Sequence, residues 1–138
     1  HQEGNLGHNQ ENRANLYATF RGREGGRSLI FNGHIDVMPA EQSDGWTNPP
    51  FQPVIRDGRI YGRGCTDMKG GLMASVMAVK LLQDAGVSLP GDVTITSVCD
   101  EEGGGNGSIQ AVMRGLKADG VVNCEPTDDS GSHGLGVF

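Results

Sequence analysis

The chain has 138 residues and a net charge of −6, with 36% hydrophobic residues and 23 glycines, which fits one loop-rich globular domain able to bury a core. The acidic balance and the lack of a basic stripe exclude nucleic acid as an expected partner. No apolar run approaches the roughly 20 residues of a membrane-spanning helix, so a membrane partner is not expected.

The first half of the chain predicts two strands and a long irregular connection. Residues 1–14 are polar and lack a period, which is typical of a loop or a frayed terminus. Residues 15–21 and 28–32 are predicted strands, and the short turn between them favours a hairpin. Residues 39–53 contain four of the six prolines and the only tryptophan, which indicates an irregular connection.

The second half predicts alternating strands and helices. Residues 59–61 form a short predicted strand ahead of a glycine-rich loop, and apolar residues then recur at helical spacing over 68–85. Residues 93–98 are rich in β-branched side chains and predict a strand. A helix over 107–116 and a strand over 120–123 follow. This order predicts an α/β fold with a mixed twisted sheet flanked by helices.

Acid and imidazole groups follow four of the predicted apolar segments. In open α/β sheets, ligands bind beyond the carboxyl ends of the strands. One histidine and several carboxylates at that edge predict a metal site. The candidate residues are His34, Asp36, Asp67, Glu101, Glu102 and Glu125.

Each of these motifs also has an interpretation without a metal. The pair His34 and Asp36 is compatible with a simple turn, although an Asp two residues on can hold the imidazole of a metal ligand. Asp67 precedes a predicted helix and could act as its N-cap. Its glycine-rich loop could instead bind phosphate with Lys69 as the cation, although the glycine spacing fits no standard phosphate loop.

The paired acids Glu101 and Glu102 are compatible with a solvated acidic turn. Because adjacent side chains point in opposite directions, the two acids cannot have the same function. One can bind a metal while the other takes a proton from a metal-activated water. Glu125, in a turn before Pro126, is the weakest candidate taken alone.

The three cysteines are widely spaced and form no CxxC pair. Structural zinc sites usually show such pairs, so the cysteines are interpreted as small buried residues at strand ends. An odd number without a disulfide pattern favours reduced thiols and a cytoplasmic location.

Four sequence runs together resemble one known family. They are GHIDV, GWTNPPFQPVIRDGRIYGRGCTDMKGG, DEEGG and NCEPT, within residues 28–128. In content and order they are similar to the dinuclear-zinc aminoacylase, acetylornithine deacetylase and succinyl-diaminopimelate desuccinylase family. The resemblance implies a zinc-dependent exopeptidase-like fold and hydrolysis of the amide bond of N-acyl amino acids or short peptides by a metal-activated water. It also implies two zinc ions, which cobalt can replace.

The resemblance assigns a role to each candidate residue. His34 and Glu125 would bind the first ion, and Asp67 would bridge both ions. Asp36 would orient His34. The family has a cis peptide after the bridging Asp, which is therefore expected between Asp67 and Met68.

The two adjacent glutamates receive different roles from the same resemblance. Glu102 would bind the second ion. Glu101 would be the general base that activates the water and later protonates the leaving amine.

Family members are at least about twice as long as this chain, which therefore resembles the N-terminal part of the catalytic domain. The lid domain, the rest of the catalytic domain and a later histidine ligand of the second ion are expected outside residues 1–138, and His133 does not match that histidine. The expected partner is a small N-acyl amino acid or peptide. An unpaired sheet edge would also permit a homo-oligomer. The alternative is a noncatalytic metal-binding or interaction module derived from a truncated hydrolase.

Overall fold

A computed structural model describes residues 13–126 of the chain. These residues form a four-stranded sheet, a separate two-stranded hairpin and two α-helices. The elements in chain order are β1 (Leu16–Phe20), β2 (Leu29–His34), β3 (Val54–Arg56), β4 (Arg59–Tyr61), α1 (Gly71–Asp84), β5 (Val93–Val98), α2 (Asn106–Met113) and β6 (Gly120–Asn123).

The four-stranded sheet has the order β1-β5-β2-β6. β2 runs parallel to both β5 and β6, whereas β1 runs antiparallel to β5. The predicted α/β class with a mixed sheet is therefore confirmed. Because the three parallel strands point the same way, the segments that follow β2, β5 and β6 all leave the sheet at one edge.

The predicted hairpin between the first two strands is wrong. β1 pairs with β5 from Leu16 opposite Ser97 to Phe20 opposite Val93, and β5 separates it from β2. β5 is mostly buried and carries β-branched residues, so it is best placed inside the sheet with a neighbour on each side. The β1–β2 connection packs instead on the loop that precedes β5, where the Arg23 N–H donates to the Leu89 carbonyl at 2.9 Å.

The core lies between α1 and the centre of the sheet. Leu72 and Val79 of α1 pack with Ile95 of β5, and partly buried Phe20, Phe31, Val76 and Val93 surround them. α1 begins three residues later than predicted because Asp67 and Met68 have non-helical backbone. The Asp67–Met68 peptide bond is cis, as expected. The irregular helical segment Cys65–Gly70 therefore carries Asp67 to the edge of the sheet ahead of the regular helix.

The sequence prediction missed strand β3. β3 pairs with β4 through a tight turn at Asp57 and Gly58, whose φ angles are 52° and 71°. An Asp-Gly pair favours such a turn, because both central residues need positive φ. In the part of the chain that the structure describes, no helix is long and apolar enough to cross a membrane.

Candidate metal centre

His34 ends β2 and is the centre of the candidate site. Its side chain is buried, and its Nδ1 lies 2.9 Å from the backbone carbonyl oxygen of Asp36. A proton on Nδ1 donated to that carbonyl leaves the lone pair of Nε2 free to bind a cation. The backbone N–H of His34 lies 3.1 Å from the thioether sulfur of Met68, which is fully buried.

The acidic side chains converge on Nε2 of His34. Asp67 Oδ1 lies 3.1 Å away, Glu125 Oε1 3.4 Å and Glu101 Oε2 3.8 Å. Glu102 belongs to the same cluster, because its carboxylate, an oxygen of Asp67 and a ring nitrogen of His34 all lie within 4.8 Å of one another. The structure thus brings the predicted acids together around one imidazole.

Asp36 connects the His34 turn to the Glu102 turn. Its Oδ2 accepts the backbone N–H of Glu102 at 3.1 Å, and its Oδ1 lies 3.5 Å from Nδ1 of His34. That Oδ1 atom is buried and accepts no hydrogen bond from the described residues. The main-chain carbonyl of Asp36 is thus closer to the imidazole than the carboxylate that was predicted to orient it.

Glycines deliver Asp67 to the cluster. Gly64 has a φ of 79°, and a Cβ built there would lie 2.4 Å from Cγ1 of Val37. This residue must therefore lack a side chain for the loop to pack against Val37, three residues after β2. A Cβ at Gly71 would lie 2.2 Å from the carbonyl oxygen of Cys124. The start of α1 thus touches Cys124, which directly follows β6 and precedes Glu125.

Asp67 does not cap α1. The N-cap position of α1 is Gly70, and no side chain donates or accepts a capping hydrogen bond there. Asp67 instead faces His34 with its carboxylate, which is about half exposed to solvent. The capping interpretation of Asp67 is therefore wrong.

The charges of the site shift two pKa values. Burial alone would lower the pKa of His34, but hydrogen bonds with Asp36 and Asp67 and the negative charge of Glu125 raise it above 6.5 overall. Burial raises the pKa of Glu125 above 4.5; His34 opposes that rise, and Asp67 and Glu101 add to it. Crowded carboxylates around an imidazole thus favour any bound cation, including a proton.

The donor atoms fit a metal ion such as zinc. Imidazole nitrogen and carboxylate oxygen are common zinc ligands. Two groups of residues offer such atoms, and within each group the ligand atoms all lie within 4.8 Å of one another. One group is His34, Asp67 and Glu102, and the other is His34, Glu101 and Glu125. None of the three cysteines belongs to either group, and all three are partly exposed, so the prediction that they are buried is wrong.

The sequence prediction missed the backbone groups that hold the site. The Met38 N–H donates to Glu102 Oε1 at 3.1 Å, and Met68 lies under the backbone of His34. Backbone donors leave no trace in residue type, so the sequence carried no signal for Met38. The helical spacing predicts Met68 as a helix residue, whereas its backbone is not helical.

The sequence model of peptidase family M20/M25/M40 matches residues 30–138. A deformylase of N-formyl-4-amino-5-aminomethyl-2-methylpyrimidine from Bacillus subtilis is 41% identical over 101 residues, which are 73% of this chain and 24% of that protein. The succinyl-diaminopimelate desuccinylase of Dechloromonas aromatica is 47% identical over 92 residues, which are 67% of this chain and 24% of that protein. The chain thus spans about a quarter of the length of these two relatives.

A solved structure has the same arrangement of elements. An M20 family metallo-carboxypeptidase from Sulfolobus solfataricus superposes with a TM-score of 0.65 and 32% sequence identity. The superposition covers 79% of this chain and 25% of that one. The sheet and helices described above therefore correspond to about a quarter of that enzyme.

Proposed function

Because the chain belongs to peptidase family M20/M25/M40, as its four motifs predicted, we propose that it is the N-terminal part of the catalytic domain of a metal-dependent hydrolase. The reaction is cleavage of the amide bond of an N-acyl amino acid or short peptide by water. The observation that supports it best is the convergence of Asp67, Glu101 and Glu125 on Nε2 of His34, within 3.1 to 3.8 Å.

In this proposal the cluster holds two zinc ions, which cobalt can replace. His34 and Glu125 would hold the first ion, Glu102 would hold the second, and Asp67 would be a ligand of both. When bound, the ions polarise the acyl carbonyl group and lower the pKa of a water molecule. Asp36 keeps the imidazole ring of His34 in place through the hydrogen bond at Nδ1.

Glu101 is the proposed general base. Its side chain is about half exposed, and its Oε2 lies 3.8 Å from Nε2 of His34. Its carboxylate takes a proton from the attacking water as the oxygen of that water bonds to the acyl carbon. It then gives this proton to the amine nitrogen as the amide bond breaks, so that a carboxylic acid and an amine leave.

The proposed substrates share an acyl group on an amine nitrogen. The relatives are named for a formyl group and a succinyl group, and the solved structure is a carboxypeptidase. N-formyl compounds, N-succinyl compounds and peptides all contain a carbonyl–nitrogen bond that water can cleave. The size of the acyl group distinguishes them, so a series of N-formyl, N-acetyl and N-succinyl amino acids with dipeptides is the appropriate substrate panel.

A Glu101→Gln substitution in the full-length protein tests the general base. Gln has nearly the same shape but cannot accept the proton, so kcat on the best substrate of the panel should fall about 10²–10⁴-fold. Zinc content by atomic absorption should not change. The control is Asp84→Asn, which removes an exposed carboxylate paired with Lys80 on α1 and should leave kcat as it was. Unchanged turnover in Glu101→Gln contradicts the mechanism, and zinc binding without turnover in the unmodified protein favours the noncatalytic alternative.

We also propose a cytoplasmic location. Cys65, Cys99 and Cys124 are all free thiols in the structure, and reduced cysteines are typical of that compartment.

A further inference from the structure

A buried acid, Asp100, precedes the two glutamates and has no role in the proposed reaction. It has only 6% of its surface exposed and a φ of 65°. Left-handed backbone is uncommon for residues other than glycine, and Asp and Asn tolerate it best. This conformation turns the chain sharply at the end of β5 and sends Glu101 towards His34.

The carboxylate of Asp100 fills the interior of that turn. Its Oδ1 accepts a hydrogen bond from Arg13 Nη1 at 3.1 Å, and its Oδ2 accepts one from the side-chain amide of Asn106. Its backbone carbonyl accepts the Gly105 N–H at 2.6 Å. A Cβ at Gly103 would lie 2.7 Å from Oδ1, so the carboxylate already occupies the space inside the turn.

A second polar side chain clamps the two ends of the same turn. Asn15 accepts the Cys99 N–H at 3.0 Å and donates to the Gly107 carbonyl at 2.9 Å. The Gly107 N–H also donates to the Cys99 carbonyl at 3.1 Å. Segments that lie more than 80 residues apart in sequence thus fix residues 99–107.

The two glutamates on this turn are held differently. Glu102 has partners outside the turn, because its N–H donates to Asp36 and its Oε1 accepts from Met38. Glu101 has no such hydrogen-bond partner for its side chain among the described residues, and its Oε2 lies 3.8 Å from Nε2 of His34. The position of the Glu101 carboxylate therefore depends on the backbone of the turn.

We propose that Asp100 is a positioning residue for Glu101. Its two carboxylate oxygens accept hydrogen bonds from Arg13 and Asn106. These bonds hold the turn in the conformation that places the Glu101 carboxylate beside His34. The proposal rests on the proposed function only in naming Glu101 as the base; the effect of Asp100 on the turn is independent of it.

Asp100→Asn is the most selective substitution at this position. Asn keeps the size of the side chain and tolerates the left-handed backbone. It is uncharged and has only one acceptor oxygen, however, so the ion pair with Arg13 is lost and an NH₂ donor replaces the second oxygen. The matched control is Asp92→Asn. Asp92 also accepts from an arginine and a backbone N–H, but at the opposite end of β5.

Hydrogen exchange in the full-length, metal-depleted protein tests the turn without any catalysis. Asp100→Asn should raise amide exchange over residues 101–107 at least tenfold relative to the unmodified protein. Asn106→Ala, which removes one donor and keeps the carboxylate, should raise it by less. Asp92→Asn should leave this segment unchanged. Unchanged exchange in Asp100→Asn overturns the proposal whether or not the protein is an active hydrolase.

Kinetics of the zinc-loaded protein test the link to Glu101. Asp100→Asn should lower kcat about 10–100-fold with KM within about twofold, because an error of about 1 Å in a reacting group can cost 10²-fold. Added to Glu101→Gln, it should change kcat by less than about twofold, since both changes remove the same function. The proposal is overturned if the double variant loses kcat by the product of the two separate losses. It is also overturned if Asp100→Asn lowers zinc affinity, measured by calorimetry, by the same factor as kcat. If Glu101→Gln alone has no effect, the general base is misassigned, and the exchange result still decides the role of Asp100 in the turn.

Discussion

At the scale of single residues, the site depends on which atoms of Asp36 face which neighbours. Its carbonyl oxygen accepts a hydrogen bond from Nδ1 of His34, and its carboxylate accepts one from the N–H of Glu102. One residue thus sets the ring orientation of a proposed ligand and the backbone of another. Groups that hold ligands in this way commonly matter nearly as much as the ligands themselves.

Asp36→Asn should therefore weaken metal binding. The Asn amide can accept from Glu102 with its oxygen, but its NH₂ group then faces the Nδ1–H of His34, where two donors meet. We expect zinc affinity, measured by titration calorimetry of the metal-depleted protein, to fall about 10–100-fold. Asp57→Asn, in the turn between β3 and β4, is the control, because Asn tolerates its positive φ. Equal affinities in all three proteins would contradict this role.

At the scale of elements, the site depends on how closely α1 approaches the end of β6. Glycine at position 71 permits that approach, since the Cys124 carbonyl occupies the place of a side chain. β6 is an edge strand paired only with β2 among the described strands. Its end is therefore held on one side by β2 and on the other by the first residue of α1.

Gly71→Ala should displace Glu125. The new Cβ would lie 2.2 Å from a backbone oxygen, which cannot rotate away as a side chain could. We expect the free energy of unfolding, from urea titration, to fall by about 1–3 kcal/mol and zinc affinity to fall with it. Gly120→Ala, also on β6, is the control, because its Cβ would meet Leu29 at an ordinary 3.6 Å. Similar stability in the two variants would show that α1 and β6 are less tightly packed.

At the scale of the whole molecule, clustered acids make stability depend on metal and on pH together. Burial favours neutral His34, but Asp36, Asp67 and Glu125 raise its pKa above 6.5. Burial raises the pKa of Glu125 above 4.5. Both folded-state pKa values are raised, so each group stabilises the metal-free fold below its unfolded pKa. That stabilisation is lost as the pH rises through its folded pKa.

Zinc should reverse this trend, because metal ligands bind in their deprotonated forms. We expect the difference in Tm between protein in excess zinc and protein in chelator to widen as the pH rises from 5 to 7.5. At a free zinc concentration of 100 times the dissociation constant, zinc binding adds about 2.7 kcal/mol to the free energy of unfolding. Scanning calorimetry measures it, and His34→Ala should remove most of the difference. A difference that does not change with pH would exclude His34 and Glu125 as ligands.

The sequence predicts most of the strands and helices, but it does not predict where the backbone departs from regular structure at the site. Short apolar runs and β-branched residues predicted β2, β5 and β6, and helical spacing predicted α1 within a few residues; α2 was also predicted close to its observed position. The start of α1 was placed too early, because the backbone at Asp67 and Met68 is set by the site and not by helix propensity. The Asp-Gly turn of β3 and β4 was a local signal that the prediction did not use.

The sequence by itself determined the family and the chemistry of the candidate site. Its residue types and spacings place one imidazole and several carboxylates directly after strands, and parallel strands bring such positions to one edge. Only the tertiary structure decided that β5 lies between β1 and β2 and that the oxygens of Asp67, Glu101 and Glu125 converge on His34. It alone showed that Arg13 reaches Asp100, the residue before Glu101. Strand pairing and the ion pair of Arg13 with Asp100 join residues far apart in the chain, so no local pattern of residues specifies them.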